Sequence, residues 1–83
     1  MRTYKTSSSV EQILDFYKGE ITDCIEGCLI DNFLISTDKG LLMLEETYQT
    51  CWTSVYTVYI GDNDAIAQKW DALVEAIRKI RED

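Results

Sequence analysis

Two apolar runs separated by a tight turn constrain the fold of this chain more than any other feature. Residues 29–37 and 41–48 are rich in apolar side chains, and Thr37-Asp38-Lys39-Gly40 lies between them. This segment has the composition of a type I turn, with Gly40 in the left-handed position of a bulged hairpin. Residues 51–60, mostly β-branched or aromatic, predict a third strand.

The expected register of the hairpin places Thr37 opposite Leu41, Asn32 opposite Glu46 and Phe33 opposite Glu45. One face then holds Leu34, Leu42 and Leu44, and the other holds Phe33, Ile35, Leu41 and Met43. Both faces are apolar near the turn, whereas a sheet with one face in water alternates apolar and polar residues. We therefore expect the sheet to be covered on both sides, by one helix on each face or by a second copy in a homodimer.

A capping box predicts a helix near the start of the sequence. Ser8 is the expected N-cap, with Glu11 at the third helical position. Two endings stay open: Gly19 ends the helix and leaves residues 20–26 as a strand, or the apolar stripe continues and Gly27 ends it. The shorter helix is favoured, because a glycine inside a helix costs about 1 kcal/mol relative to alanine.

The second helix is marked at both of its ends. Asp62 or Asn63 caps its start, and the cations in its last turns suit the negative end of the helix dipole. Its apolar stripe, which we expect to lie on the sheet, consists of Ile66, Trp70, Leu73, Val74, Ile77 and Ile80.

These elements predict a single α+β domain over residues 1–83. An antiparallel meander of three or four strands is flanked by an N-terminal helix and a longer C-terminal helix, in the order α-β-β-β-α. No apolar run reaches the roughly 18 residues of a membrane span. No apolar segment follows the N-terminal residues as in a secretion signal, so we expect a cytoplasmic protein without a membrane partner.

The net charge of −7 is concentrated in the middle of the chain. From Glu20 to Asp64 there are nine carboxylates and one cation, Lys39. Such a field either keeps the domain soluble or recognises a protein partner with a basic surface. The carboxylates expected to bind that partner are Asp23, Glu26, Asp31, Asp38, Glu45 and Glu46.

An analogy of size and charge, carried by no motif, links the chain to small acidic inhibitors of phages and mobile elements. Several anti-CRISPR and anti-restriction proteins of this kind occupy a groove that otherwise binds nucleic acid. The first hypothesis is therefore a non-enzymatic binding protein, with inhibition as its specific form.

Aromatic residues on the predicted strands suggest the alternative, an interaction or homo-oligomerisation domain whose acidity serves solubility only. Its expected contact residues are Tyr48, Trp52, Tyr56 and Tyr59, since tyrosine and tryptophan are favoured interface anchors. Direct binding of nucleic acid to these rings is not expected, because it requires a basic groove and this region has one lysine.

A small enzyme or metal site is the third hypothesis, and the composition weighs against it. The chain has no histidine, the commonest general base. Cys24, Cys28 and Cys51 are an odd set without the spacing of a zinc knuckle, and we expect them to be small apolar thiols in or near the core. No catalytic residue, metal ligand or cofactor is predicted, and Asp31 is the first carboxylate to test for such a role.

Overall fold

The structure, a computed structural model, describes residues 1–27, 29–48 and 54–82, with the backbone alone at residues 81 and 82. Its elements are β1 (Arg2–Thr6), α1 (Val10–Tyr17), β2 (Gly19–Ile25), β3 (Ile30–Thr37), β4 (Gly40–Tyr48), β5 (Ser54–Ile60) and α2 (Asn63–Glu82). The strands form one antiparallel sheet in the order β1-β5-β4-β3-β2. The predicted α+β class and antiparallel sheet are confirmed.

The strand β1 is the element that the sequence pattern did not predict. It lies beside β5, with Arg2 opposite Ile60 and Thr6 opposite Tyr56. As an edge strand it leaves most of its residues exposed and needs no apolar stripe of its own. The sheet therefore has five described strands rather than three or four.

The helix α1 begins one residue later than predicted. Ser9 is the N-cap: its Oγ accepts a hydrogen bond from the Gln12 N–H at 3.2 Å, and Gln12 Oε1 accepts one from the Ser9 N–H at 2.9 Å. The Ser8 hydroxyl instead accepts a hydrogen bond from Thr6 Oγ1 at 3.1 Å. The predicted capping pair of Ser8 and Glu11 is wrong by one residue.

The end of α1 settles the alternative that the sequence left open. Lys18 takes the left-handed conformation, with φ of 53°, and Gly19 already begins β2. The shorter helix and the strand after it are confirmed. The left-handed residue is Lys18 rather than Gly19.

The β3–β4 hairpin is one residue tighter than expected. Thr37 pairs with Gly40, so Asp38 and Lys39 alone connect the strands. Gly40 has φ of 127°, a conformation that side-chain-bearing residues rarely adopt. The predicted register is therefore wrong: a shift of one residue exchanges the two faces of β3, which puts Asp31 opposite Glu46.

Each face of the sheet is covered by one helix, which is one of the two predicted arrangements. On the α1 face, Ile13 packs in a buried cluster with Ile35, Leu42, Leu44, Tyr56 and Val58. On the α2 face, Ile66 and Trp70 pack against Met43, with Leu34, Leu41, Tyr59, Leu73 and Val74 at the periphery. The chain thus buries both apolar faces with its own elements.

The helix α2 begins with Asp62 as its cap, one of the two predicted residues, because Asp62 Oδ1 accepts a hydrogen bond from the Ala65 N–H at 2.8 Å. The predicted stripe is buried only in its first half. Ile66 and Trp70 are at most 4% exposed, whereas Ile80 is 75% exposed. The last turns of α2 therefore extend beyond the packed part of the sheet.

Candidate functional site: a tyrosine–carboxylate cluster

Four of the five described strands carry no positively charged side chain. The sequences of β2, β3, β4 and β5 contain five carboxylates and no lysine or arginine. Asp31 and Glu46 lie at the end of the sheet where β2 and β4 finish and β3 and β5 begin, and Glu26 follows β2 there. We call this end the acidic end.

Two of the predicted acidic residues are brought together on the α1 face at the acidic end. Asp31 and Glu46 are directly opposite each other in the β3–β4 ladder. The Tyr48 hydroxyl donates a hydrogen bond to Asp31 Oδ2 at 2.5 Å, and the Tyr56 hydroxyl donates one to Glu46 Oε2 at 3.0 Å. We refer to these four side chains as the tyrosine–carboxylate cluster.

The cluster holds its carboxylates in fixed orientations. The Gly27 N–H donates to Asp31 Oδ1 at 3.0 Å, so both oxygens of this carboxylate are oriented. Tyr56 is 9% exposed and forms the buried base of the cluster, whereas Tyr48 is 40% exposed at its rim. A carboxylate has about four acceptor positions, so both acids keep capacity for donors from a partner.

The hydroxyls of the cluster remain protonated over the whole physiological range. The hydrogen bond to Asp31, followed by burial and nearby negative charge, raises the pKa of Tyr48 to about 12. Burial, followed by the hydrogen bond and charge of Glu46, raises the pKa of Tyr56 to about 12. Both phenols are therefore neutral donors to the carboxylates.

Asp23 is exposed but lies outside the cluster, and its carboxylate makes hydrogen bonds within the fold. The β2–β3 register shifts between Ile21 and Asp23, and this bulge turns Asp23 to the α2 face. There its Oδ2 accepts a hydrogen bond from Trp70 Nε1 at 3.2 Å, and its Oδ1 accepts one from the Cys24 N–H at 2.8 Å. Asp23 thereby connects the edge strand β2 to α2.

Glu45 also lies on the α2 face, apart from the cluster. Its Oε2 is 3.5 Å from the Tyr59 hydroxyl, and Lys69 Nζ lies 4.6 Å from the centre of the Tyr59 ring. Burial, followed by the charge of Glu45, raises the pKa of Tyr59. In the β3–β4 ladder, Asn32 lies opposite Glu45. Asn32 is 5% exposed, and its Oδ1 has no hydrogen-bond partner among the described residues.

The remaining predicted residues include two acids, and Asp38 lies farther from the cluster than Glu26. Asp38 sits in the β3–β4 turn, seven positions along the chain from Asp31 and about 23 Å away for an extended strand. It is exposed beside Lys39, at the end of the sheet that also carries Lys18. Glu26 is exposed at the acidic end. Trp52 lies outside the described residues.

The thiols do not form a metal site in the part of the chain that the structure describes. No group of three Cys, Asp or Glu side chains there is arranged to hold a metal ion. Cys24 is exposed, so the expected place in or near the core is wrong for this thiol. Partial burial, followed by the charge of nearby carboxylates with Glu26 first, raises its thiol pKa. Such a thiol is a weak nucleophile at neutral pH. Cys28 and Cys51 lie outside the described residues.

The role of the tyrosines as partners of the carboxylates is what the sequence reasoning missed. Acid and tyrosine were assigned to two competing surfaces, whereas the structure joins them. The correct strand register would have predicted these contacts. Tyr56 lies directly opposite Glu46, and Tyr48 follows Glu46 by two residues on the same face.

Comparison with protein-family models, with curated proteins and with solved structures found no match. Among the described residues, no helix is both long enough and apolar enough to cross a membrane.

Proposed function

We propose that the protein is a non-enzymatic binding protein whose acidic end engages a basic surface of a partner protein. The observation that carries the proposal is the tyrosine–carboxylate cluster, in which Asp31 and Glu46 are adjacent and held by tyrosine hydroxyls. Arginine is the partner residue that this arrangement fits best, because its planar group donates several hydrogen bonds at once to carboxylates.

Orientation of the carboxylates before binding supports this function over solubility alone. A flexible acidic side chain loses conformational freedom when it binds, at a cost of about 0.5–1.5 kcal/mol. Hydrogen bonds from Tyr48 and Gly27 already restrict Asp31, and Tyr56 already restricts Glu46. A surface that only kept the protein soluble would gain nothing from such restraint.

The alternative hypothesis, binding through aromatic residues, concerns the same surface as the acidic end. Tyr56 is buried and Tyr59 is half-buried, and the helices cover both faces of the sheet. Tyr48 is exposed and lies at the rim of the cluster. We therefore propose Tyr48 as an aromatic contact beside the carboxylates rather than as part of a separate apolar surface.

Inhibition is the specific form of this proposal. A partner surface basic enough to bind two oriented carboxylates also attracts phosphates, so the bound protein would block nucleic acid from it. Once a partner is captured, competition between this protein and a short DNA or RNA for that partner tests inhibition separately from binding.

The test of binding uses two variants that each remove two negative charges. One is Asp31→Asn with Glu46→Gln, at the cluster. The matched control is Glu20→Gln with Asp38→Asn, two exposed acids at the other end of the sheet. Each tagged protein is incubated with host lysate at about 50 and 200 mM salt, a range over which charge-dependent binding falls steeply.

We expect wild type and the control variant to capture the same protein at low salt and to lose it at high salt. The cluster variant should weaken capture at least tenfold, since contacts between close charged groups contribute about 1.5 kcal/mol or more. Capture by all three proteins with no effect of salt would refute the proposal. Equal loss in both variants would show that net charge, rather than the cluster, attracts the partner.

A further inference from the structure

The strand β1 forms an open edge of the sheet. It pairs with β5 through five consecutive residues without a register shift, and no other described strand lies on its outer side. The opposite edge differs, because the bulge in β2 interrupts its row of backbone groups. A regular, open edge offers unpaired N–H and C=O groups to an additional strand, whereas a bulge discourages one.

A groove runs between this edge strand and α1, on the α1 face. Its volume is about 380 Å³, and Tyr4, Phe16 and Tyr17 contribute aromatic walls, with polar groups from Thr6 and Gln12. The Tyr4 and Tyr17 hydroxyls are hydrogen-bonded to each other. Phe16 is 78% exposed on α1, and its ring meets that of Tyr17 edge-on with the centres 4.9 Å apart.

The two faces of β1 differ in chemistry. Tyr4 and Thr6 lie on the α1 face and line the groove, whereas Thr3 and Lys5 lie on the α2 face. Arg2 and Lys5 make β1 cationic, in contrast to the other four strands, which contain no lysine or arginine. An added strand would therefore meet aromatic walls with one set of alternate side chains and Lys5 with the other set.

We propose that β1 is a docking site for an extended acidic segment of a partner protein, which adds to the sheet as a sixth strand. Backbone hydrogen bonds to β1 hold the segment, aliphatic or aromatic side chains at alternate positions enter the groove, and carboxylates between them face Lys5. Charge selects the occupant: the cations of β1 repel the same edge of a second copy and attract an acidic strand. One end of this site adjoins the acidic end, because Thr6 lies opposite Tyr56. The site itself is the outer edge of β1, and it does not depend on the function proposed for the cluster.

The experiment uses a synthetic peptide in which glutamate alternates with phenylalanine or valine, with blocked ends and a fluorescent label. Binding to the full chain is measured by anisotropy, and backbone amide shifts locate the site. The first control peptide carries N-methyl groups on alternate amides, which removes strand pairing. The second control peptide has lysine in place of each glutamate.

The variants are Phe16→Ala in the groove and Lys5→Glu on the other face, with Lys79→Glu as the matched charge reversal on exposed α2. We expect the acidic peptide to shift the amides of β1, Phe16→Ala and Lys5→Glu each to weaken binding about tenfold, and Lys79→Glu to leave it within about twofold. Circular dichroism verifies that each variant is folded.

Three results would overturn the proposal. Equal binding of the N-methylated peptide would show that no strand is added. Equal weakening by Lys79→Glu would show an effect of overall charge. Light scattering that shows a dimer, together with monomers after a proline is placed in β1, would assign the edge to a second copy instead.

Discussion

The contact between Asp23 and Trp70 leads to the most specific prediction of stability. Trp70 is 4% exposed, and its Nε1 donates to Asp23 Oδ2 at 3.2 Å across the gap between α2 and β2. In Asp23→Ala the indole N–H loses this partner, while the ring stays packed. Removal of the partner of a buried donor costs about 1–3 kcal/mol.

The expected magnitude for Asp23→Ala is about 1–2 kcal/mol of unfolding free energy. The lower part of the general range applies because Asp23 is exposed and solvent weakens its interaction. For a domain of this size, such a loss lowers the melting temperature by about 4–16 °C. Urea unfolding followed by circular dichroism measures the free energy directly.

A double-mutant cycle separates this hydrogen bond from other effects of the substitution. Asp23→Ala is compared in the wild type and in Trp70→Phe, which keeps an aromatic ring without the N–H. The hydrogen bond from the Cys24 N–H to Asp23 is lost in both backgrounds, so it cancels. We expect a coupling energy of about 1 kcal/mol. Glu20→Ala on the same strand is the exposed control, expected within about 0.5 kcal/mol of wild type.

A coupling energy below about 0.3 kcal/mol would refute the assigned role of this contact. If Asp23→Ala leaves stability unchanged but weakens capture of a partner, Asp23 belongs to the binding surface, as the charge pattern of the sequence predicts. The prediction therefore also tests which predicted acids belong to the site.

Three further predictions concern the turn, a buried amide and the tyrosines. Gly40→Ala should cost about 1–3 kcal/mol in urea unfolding, because φ is 127° and a Cβ would lie 2.5 Å from Asn63 Oδ1. Asn32→Asp should lower the free energy of unfolding by about 2–4 kcal/mol at pH 7, because burial raises the pKa of the new carboxyl above its unfolded value. Stability should therefore recover as pH falls. Equal stability of the variant and wild type at both pH 7 and pH 4 would contradict this prediction. The folded-state pKa of Tyr48 is about 12, against a usual value of 10, so Tyr48 stabilises the fold fully below pH 10 and loses this effect as pH rises toward 12. Alkaline unfolding should therefore begin between pH 10 and pH 12. In Tyr48→Phe, the free energy of unfolding should fall less steeply with pH over this range.

Local signals in the sequence were sufficient for most elements. These signals are the serines before α1, the turn at residues 37–40 and the acids before α2. Each acts through contacts with residues only a few positions away. Even there, the predicted capping box was one residue early, because Ser9 and Gln12 form it rather than Ser8 and Glu11. The register predicted for the hairpin was likewise wrong by one residue, because Gly40 belongs to β4 and pairs with Thr37.

Features that depend on distant partners could not be predicted. β1 has no apolar pattern and is a strand because β5 lies beside it. The bulge before Asp23 changes the face of that residue, and nothing in the composition of β2 marks it. The acidic character of the candidate site was predicted from charge alone. Which acids lie on each face of the sheet, and which of them contact tyrosines, could be known only from the strand register.

The pairing of β1 with β5 also sets the order in which the sheet can assemble. The three strands β2, β3 and β4 are joined by short local connections and can form as soon as they are synthesised. β1 leaves a ribosome before all of them, yet its neighbour is the last strand of the sheet. Contacts between residues so far apart in sequence slow folding, and unfinished edges aggregate. Because charged side chains discourage the pairing of open edges, we expect Arg2 and Lys5 to protect β1 from aggregation until β5 has been synthesised.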